Sequence, residues 1–208
     1  DATEGVPAQS DGRPFYDGTV DALDFAELKK VLMSLMEQAR RAFGIPDPRL
    51  DIVGFDACDV GAVLNVTPDH LGLKGVETLA DLGRVKAIVA RNVKRSGACV
   101  LNGADPLTVR MARRARGRIV WFTGGAVAAA LAPIQAHLES GGLAVSGERG
   151  TLMLHRGSES MPIIPIANIP VTLNGAARFN VENAAAAAAM AAAYGIAPGM
   201  IAWGLASF

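Results

Sequence analysis

Val60-Gly61-Ala62-Val63-Leu64-Asn65-Val66-Thr67-Pro68-Asp69-His70-Leu71 decides how this chain is read. A short uncharged run, Val60 to Leu64, ends directly in polar, metal-capable side chains. Bounded by Pro and Asp, such a run reads as a buried strand. In open α/β sheets, chemistry gathers just beyond the carboxyl ends of strands. Asp69 could supply a carboxylate to a hard divalent cation, and His70 a ring nitrogen. The pair alone is a weak signal, because an Asp often caps a loop and a His often satisfies a core hydrogen bond.

Outward from this strand, helical and extended patterns alternate. Thr78 to Val93 is predicted as a helix, with Leu79, Leu82, Val85, Ile88, Val89 and Val93 on its inner face. Ser96-Gly97 should turn the chain into a strand from Ala98 to Leu101. Pro106 opens a helix at a favoured first-turn position, and Ile119 to Phe122 returns as a strand. Residues 126–139 suggest a further helix closed by Gly141-Gly142. Leu143–Ser146 and Thr151–Leu154 read as a hairpin around Gly147-Glu148-Arg149-Gly150. Phe179 to Tyr194 is an alanine-packed helix, and Pro198 starts a last short one. The alternation predicts an α/β fold: a three-layer, mostly parallel sheet with helices on both faces and an antiparallel edge hairpin.

Upstream, residues 1–18 are rich in Gly, Pro, Asp and Ser and read as a flexible tail. Residues 19–53 read as a helical N-terminal segment of unclear origin. Leu28, Val31, Leu32, Leu35, Met36, Ala39 and Phe43 share one helical face, and Asp24 with Glu27 resembles a capping box. A packing role, against the sheet or a partner chain, is expected of it. Residues 54–208 hold the α/β domain.

Composition narrows the function classes. Half of the 208 residues are apolar but only 5% are aromatic, which suits helices packed closely on a sheet. Twenty basic residues balance twenty acidic ones, so no net field recruits nucleic acid or an anionic membrane. The basic run Arg110 to Arg118 reads as the solvated face and end of a helix. Cys58 and Cys99 lack metal-site spacing and read as buried thiols in a reducing compartment. No stretch reaches ~20 apolar residues, and Asp1-Ala2-Thr3-Glu4-Gly5 lacks the pattern of a signal peptide. A cytoplasmic location is expected.

Three further side chains could carry chemistry. Lys86 sits on the inner half of its helix, where a snorkelling lysine is the bland alternative. Asn180 and Asn183 lie three apart on one helical face. Their amides present both donor and acceptor, which suits an adenine edge. Asn180 as a simple helix cap is the bland alternative.

The order of these motifs is more specific than any one of them. Asn65-Val66-Thr67-Pro68-Asp69-His70-Leu71, then Arg84-Val85-Lys86, then Val100-Leu101-Asn102-Gly103-Ala104-Asp105-Pro106, then Phe179-Asn180-Val181-Glu182-Asn183-Ala184-Ala185 resembles the central domain of the Mur ligase superfamily. Within it, Phe55-Asp56-Ala57-Cys58-Asp59-Val60-Gly61, Asp69-His70-Leu71-Gly72-Leu73 and Ile163-Ile164-Pro165-Ile166-Ala167-Asn168-Ile169-Pro170 resemble the cyanophycin synthetases. The resemblance covers roughly residues 54–208. It implies an ATP-dependent amide ligase using magnesium, which activates a carboxylate as an acyl-phosphate that an amine then displaces. It implies His70 as a magnesium ligand and Lys86 as a catalytic lysine that binds metal when carbamylated. Asn180, Asn183 and Asp105 are the implied cofactor-binding residues. An aspartate polymer of cyanophycin type and arginine are the implied substrates.

The same resemblance leads one to expect a phosphate-binding loop. No Gly-x-x-x-x-Gly-Lys-Ser/Thr stretch occurs in these residues, and no Gly is followed directly by Lys. Asp47-Pro48-Arg49-Leu50-Asp51-Ile52-Val53 stands where a Glu-containing, Arg-Gly-Gly-rich stretch belongs, and the central domain is expected to end at Ser207-Phe208. The isolated chain is therefore expected to be inactive. A non-catalytic interaction or remnant protein keeping the fold is the alternative, and a homo-oligomer or a partner chain is one expected way to cover an open sheet edge. A folylpolyglutamate synthetase or muropeptide ligase relative is a further one.

Overall fold

The computed structural model describes residues 57–68, 71–72 and 76–207. The predicted tail and helical segment, together with Asp69 and His70, lie outside the described residues. Six strands form one sheet in the order β1 (Cys58–Val63), β2 (Val93–Asn102), β3 (Arg118–Thr123), β4 (Leu143–Glu148), β5 (Thr151–Arg156) and β6 (Glu159–Pro165). β1 to β4 pair in parallel, and β5 and β6 extend the sheet antiparallel. Helices α1 (Leu79–Arg91), α2 (Pro106–Met111) and α3 (Ile134–Glu139) connect the parallel strands, and α4 (Arg178–Ala193) and α5 (Pro198–Ala206) follow β6. This is the expected three-layer α/β fold. Among the described residues no helix is long and apolar enough to cross a membrane.

Successive side chains of a strand point to opposite faces, and both faces here are covered. Ala98, Val100, Val120, Phe122 and Val145 pack with α4 in one core. Cys99, Leu101, Trp121 and Ala144 pack in the other, with Leu82 and Ala87 of α1, Met111 of α2 and Ile134 of α3. Burial on both sides is why β2 and β3 read as near-continuous apolar runs. Alanine at 185, 188 and 189 is fully buried. A helix surface of methyl groups lets α4 lie close to the sheet, and alanine is also the best helix former.

Several elements differ from expectation, each for a local reason. β1 is half-buried and ends at Val63, with Leu64 already exposed. Of the residues predicted for the inner face of α1, Leu82 is buried, together with Gly83, Ala87 and Ala90, whereas Val85, Ile88 and Val89 are half-buried and Leu79 is exposed. Thr78 and Asp81 cap it reciprocally, and the Asn92 N–H closes its last turn on Ile88 O and Val89 O. Val93 therefore belongs to β2. Ser96-Gly97 is not a turn but lies in a register break, between the pairs Cys58–Val93 and Val60–Ala98. Glycine is required there, since a Cβ on Gly97 would lie 2.3 Å from Asp59 O.

The helix expected over residues 126–139 is split. The N–H groups of Leu131 and Ala132 donate to Gly103 O at 2.8 and 2.9 Å. Ala132 also precedes Pro133, which disfavours helical backbone. Only a 3₁₀ turn at Val127–Ala129 and the short α3 remain. The hairpin is tighter than predicted: its turn is Arg149-Gly150, with φ of 48° and 78°, the pattern of a type I′ turn. β6 was not foreseen, because Pro162 and Pro165 argue against an interior strand. At the sheet edge they are tolerated.

Candidate functional site

Three side chains from three elements converge on the backbone leaving β1. Asn102, at the end of β2 and 2% exposed, donates from Nδ2 to Leu64 O at 2.9 Å. Its Oδ1 accepts the Ala104 N–H at 2.8 Å. Lys86, half-buried on α1, donates from Nζ to Asn65 O at 3.1 Å. Asp105 accepts the Val66 N–H on Oδ2 at 2.8 Å. Its Oδ1 accepts from Leu107 N and Thr108 N, so the same carboxylate is the N-cap of α2. Leu64, Asn65 and Val66 are thus held in succession by groups distant in sequence. The chain enters Thr67-Pro68 on a fixed path, toward Asp69 and His70, whose placement is outside the described residues.

Lys86 and Asp105 are therefore brought together, and both act here on main chain. Asn102 belongs with them, although sequence reasoning did not single it out. The signal was available: like Asn65, it is an Asn terminating an apolar run.

A second strand-end feature was missed. Gly124-Gly125 directly follows β3 and, with Arg178 and Glu182 of α4, borders a crevice of about 500 Å³. A Cβ on Gly124 would lie 2.7 Å from Glu182 Cγ, and one on Gly147 only 2.3 Å from Gly124 O. Glycine lets the end of β3 approach both neighbours. A glycine pair directly after the run Ile119–Phe122 could have flagged it.

Asn180 and Asn183 lie elsewhere. α4 starts at Arg178 with Ala177 as its N-cap residue, so Asn180 is not a cap. Its Nδ2 donates to Val171 O at 2.7 Å, and its Oδ1 accepts from Asn183 Nδ2 at 3.4 Å. Both border a cavity of about 540 Å³ between α4 and α5, walled by Ala187, Ala191, Ile196 and Met200. Asn180 is tied down, whereas Asn183 is exposed. Among the described residues, Asn183 Oδ1 and one amide hydrogen are uncommitted. This is an apolar slot with a donor–acceptor pair at its rim.

A buried polar chain pins the antiparallel side. His155, 6% exposed, bonds Ser160 Oγ through Nδ1 and Ser146 Oγ through Nε2, both at 2.8 Å. Ser146 donates to Glu148 Oε1 at 3.1 Å. An ionised carboxylate only accepts, which sets every direction: His155 Nε2–H donates to Ser146, and Ser160 donates to Nδ1. Burial holds His155 below the usual histidine range, opposed by the nearby Glu148 carboxylate. The two cysteines are free thiols: Cys58 is half-buried, and burial pushes Cys99 up to about 12. Among the described residues no group of three His, Cys, Asp or Glu could hold a metal ion.

Comparison with known proteins places the chain among relatives. The family model for the Mur ligase middle domain matches residues 24–191. The cyanophycin synthetase of Geminocystis herdmanii is 38% identical over 156 residues, covering 75% of this chain and 18% of that protein. That of Synechocystis is 35% identical over 160 residues, again 75% and 18%. A UDP-N-acetylmuramoylalanine–D-glutamate ligase of Acidobacterium capsulatum is 31% identical over 140 residues, covering 66% and 26%. Among solved structures, MurF from Acinetobacter baumannii aligns with a TM-score of 0.47 and 23% identity, over 71% of this chain and 28% of that one. The chain spans less than a fifth of the length of the cyanophycin synthetases it matches.

Proposed function

This chain belongs to the Mur ligase middle-domain family, and we propose on that premise that it forms part of a cytoplasmic, ATP-dependent amide ligase of cyanophycin synthetase type. The substrate carboxylate would be an aspartate side chain of a polymer, and the incoming amine that of arginine. The observation that carries the reading is the hold of Lys86, Asn102 and Asp105 on Leu64–Val66. It fixes Leu64–Val66 at a strand end, the stretch that in the sequence leads into Asp69 and His70, where ligase chemistry needs a rigid platform.

ATP with magnesium, when bound, supplies the phosphoryl group that activates the carboxylate. The slot beside Asn183 fits the adenine end: it is apolar, and its rim amide can both donate and accept. Asn180 positions Asn183 by accepting its amide hydrogen. The phosphate end is not provided by these residues, since the sequence lacks a Gly-Lys pair and with it the usual nest and bridging lysine. In this reading His70 is a magnesium ligand. Lys86, carbamylated, contributes an anionic oxygen while its remaining N–H keeps the bond to Asn65 O.

The 208 residues alone therefore bind nucleotide through its base and turn over no ATP. In calorimetry, adenosine and ATP with magnesium should bind within about threefold of each other, and Asn183→Ala should weaken both about tenfold, one lost bidentate contact. ATP binding a hundredfold tighter than adenosine, about 2.7 kcal/mol, would show a phosphate cradle and overturn this division.

A further inference from the structure

The hydrogen-bonded side chains around His155 span three strands and reach solvent. Ser160 of β6 pairs with His155 of β5, and His155 pairs with Ala144 of β4. Ser146 and Glu148 follow Ala144 at steps of two, so all four polar side chains stand on one face of the sheet. Their bonds run in one direction. Ser160 donates to His155 Nδ1, His155 Nε2–H donates to Ser146, and Ser146 donates to Glu148. Ser146 and His155 are buried, but Ser160 is exposed. With His155, Glu148 and Ser158 it borders a cavity of about 780 Å³.

A hydroxyl bonded to one imidazole nitrogen, while a third group orients the ring through the other, is the arrangement that activates a serine. Burial lowers the pKa of His155, so at pH 7 the ring is neutral and its Nδ1 can take a proton. The imidazolium formed in that transfer has its Nε2 only 3.9 Å from Glu148 Oε1, and an opposite charge so close favours it. Side chains that served only to join strands would not need to end in an exposed hydroxyl on a cavity wall.

We propose that Ser160 is a nucleophile toward neutral acyl donors, with His155 as its general base. Glu139 and Glu148 border the cavity, and no Lys or Arg does, so anionic donors are disfavoured. Ser160 Oγ bonds to the carbonyl carbon of an ester, and its proton passes to His155 Nδ1. The ester C–O bond breaks, and the departing alkoxide takes that proton. Water then attacks the acyl-serine with His155 as base again, which releases the acid and restores both side chains. This chemistry needs neither nucleotide nor the strand-end platform.

The test is covalent labelling of the 208-residue chain by a neutral alkyl fluorophosphonate, located by mass spectrometry of its peptides. The reagent forms an Oγ–P bond as fluoride leaves, and the serine proton goes through His155 to solvent. Ser160 should react at least about a hundredfold faster than Ser158, which is exposed in the same cavity. Ser160→Ala should abolish the fast label, and His155→Gln should slow it at least about a hundredfold. Ser158→Ala should change it less than about twofold. 4-Nitrophenyl acetate should acylate Ser160, and an analogue carrying a carboxylate on its acyl group should do so at least about threefold more slowly. Labelling of Ser160 no faster than that of Ser158, a fast label that survives Ser160→Ala, one indifferent to His155→Gln, or equal acylation by the charged donor would each overturn the proposal. Thermal melts check that His155→Gln folds, and the comparison of two serines in the unaltered chain decides the point without it.

Discussion

Asp105 illustrates how one carboxylate can hold two stretches of backbone at once. It was singled out for cofactor binding, and in the fold it caps α2 and holds the Val66 N–H. Losing a cap costs about 1 kcal/mol, and leaving the Val66 N–H unpaired adds roughly as much. Asp105→Ala should therefore destabilise by about 2 kcal/mol in urea denaturation, while Asp105→Asn, which keeps an acceptor for the cap, should lose less than half of that. Equal losses would mean that charge, not hydrogen bonding, is what matters there. His155 makes a second residue-scale prediction. Its folded pKa is depressed by burial, so below about pH 6.5 the unfolded chain takes up a proton that the folded site resists. Stability should be flat between about pH 7 and 8 and fall from about pH 6.5 toward 5, by at most about 1.4 kcal/mol per pH unit for each such histidine. It should fall again in alkali above about pH 8.5, where the unfolded thiol of Cys99 ionises and the buried one does not. His137, lowered by the same cause as His155, adds to the acid slope, so His155→Gln should flatten it only in part. Stability that rose on acidification below about pH 7 would contradict the assignment. Single residues were the hardest scale to read from sequence: Lys86 and Asp105 were singled out for chemistry, while their observed partners are main-chain atoms that spacing cannot reveal.

At the scale of elements, the sequence was legible where one strong pattern acted alone. Pro106 opening α2, the alanine run of α4 and the alternation of strand and helix all stand in the structure. Readings failed where distant backbone competed. Gly103 O draws Leu131 and Ala132 out of helix, and the β2 bulge forms because Gly97 must pass against Asp59. The contact between the end of β3 and β4 is of the same kind. Gly147→Ala would drive a Cβ into Gly124 O and should cost about 1–3 kcal/mol by overpacking. Gly125→Ala is the contrast, since its nearest neighbour, Thr123 Oγ1, would be at 3.9 Å; its cost should stay within about 0.5 kcal/mol. Thermal melts of the two variants decide the point, and equal destabilisation would show that the approach of the two segments is not the constraint.

For the whole molecule, the fold organises two separate places rather than one. Lys86 and Asp105 stand at the carboxyl ends of the parallel strands, and Asn180 and Asn183 border a slot between α4 and α5. The order of motifs made the family legible, because order survives when single residues are ambiguous. It could not show that Asn102 completes the hold on Leu64–Val66 or that the glycines after β3 border a crevice with α4, since those roles exist only once the elements lie side by side. The most direct test of the ligase reading joins residues 54–208 to the remainder of a cyanophycin synthetase that carries a phosphate-binding loop and a C-terminal domain, and measures arginine-dependent phosphate release on an aspartate polymer. The account predicts release by the folded chimera, its loss in His70→Ala and its reduction in Lys86→Ala, with none from the 208 residues alone. A folded chimera without release, release that survives His70→Ala, or release by the isolated chain would contradict it.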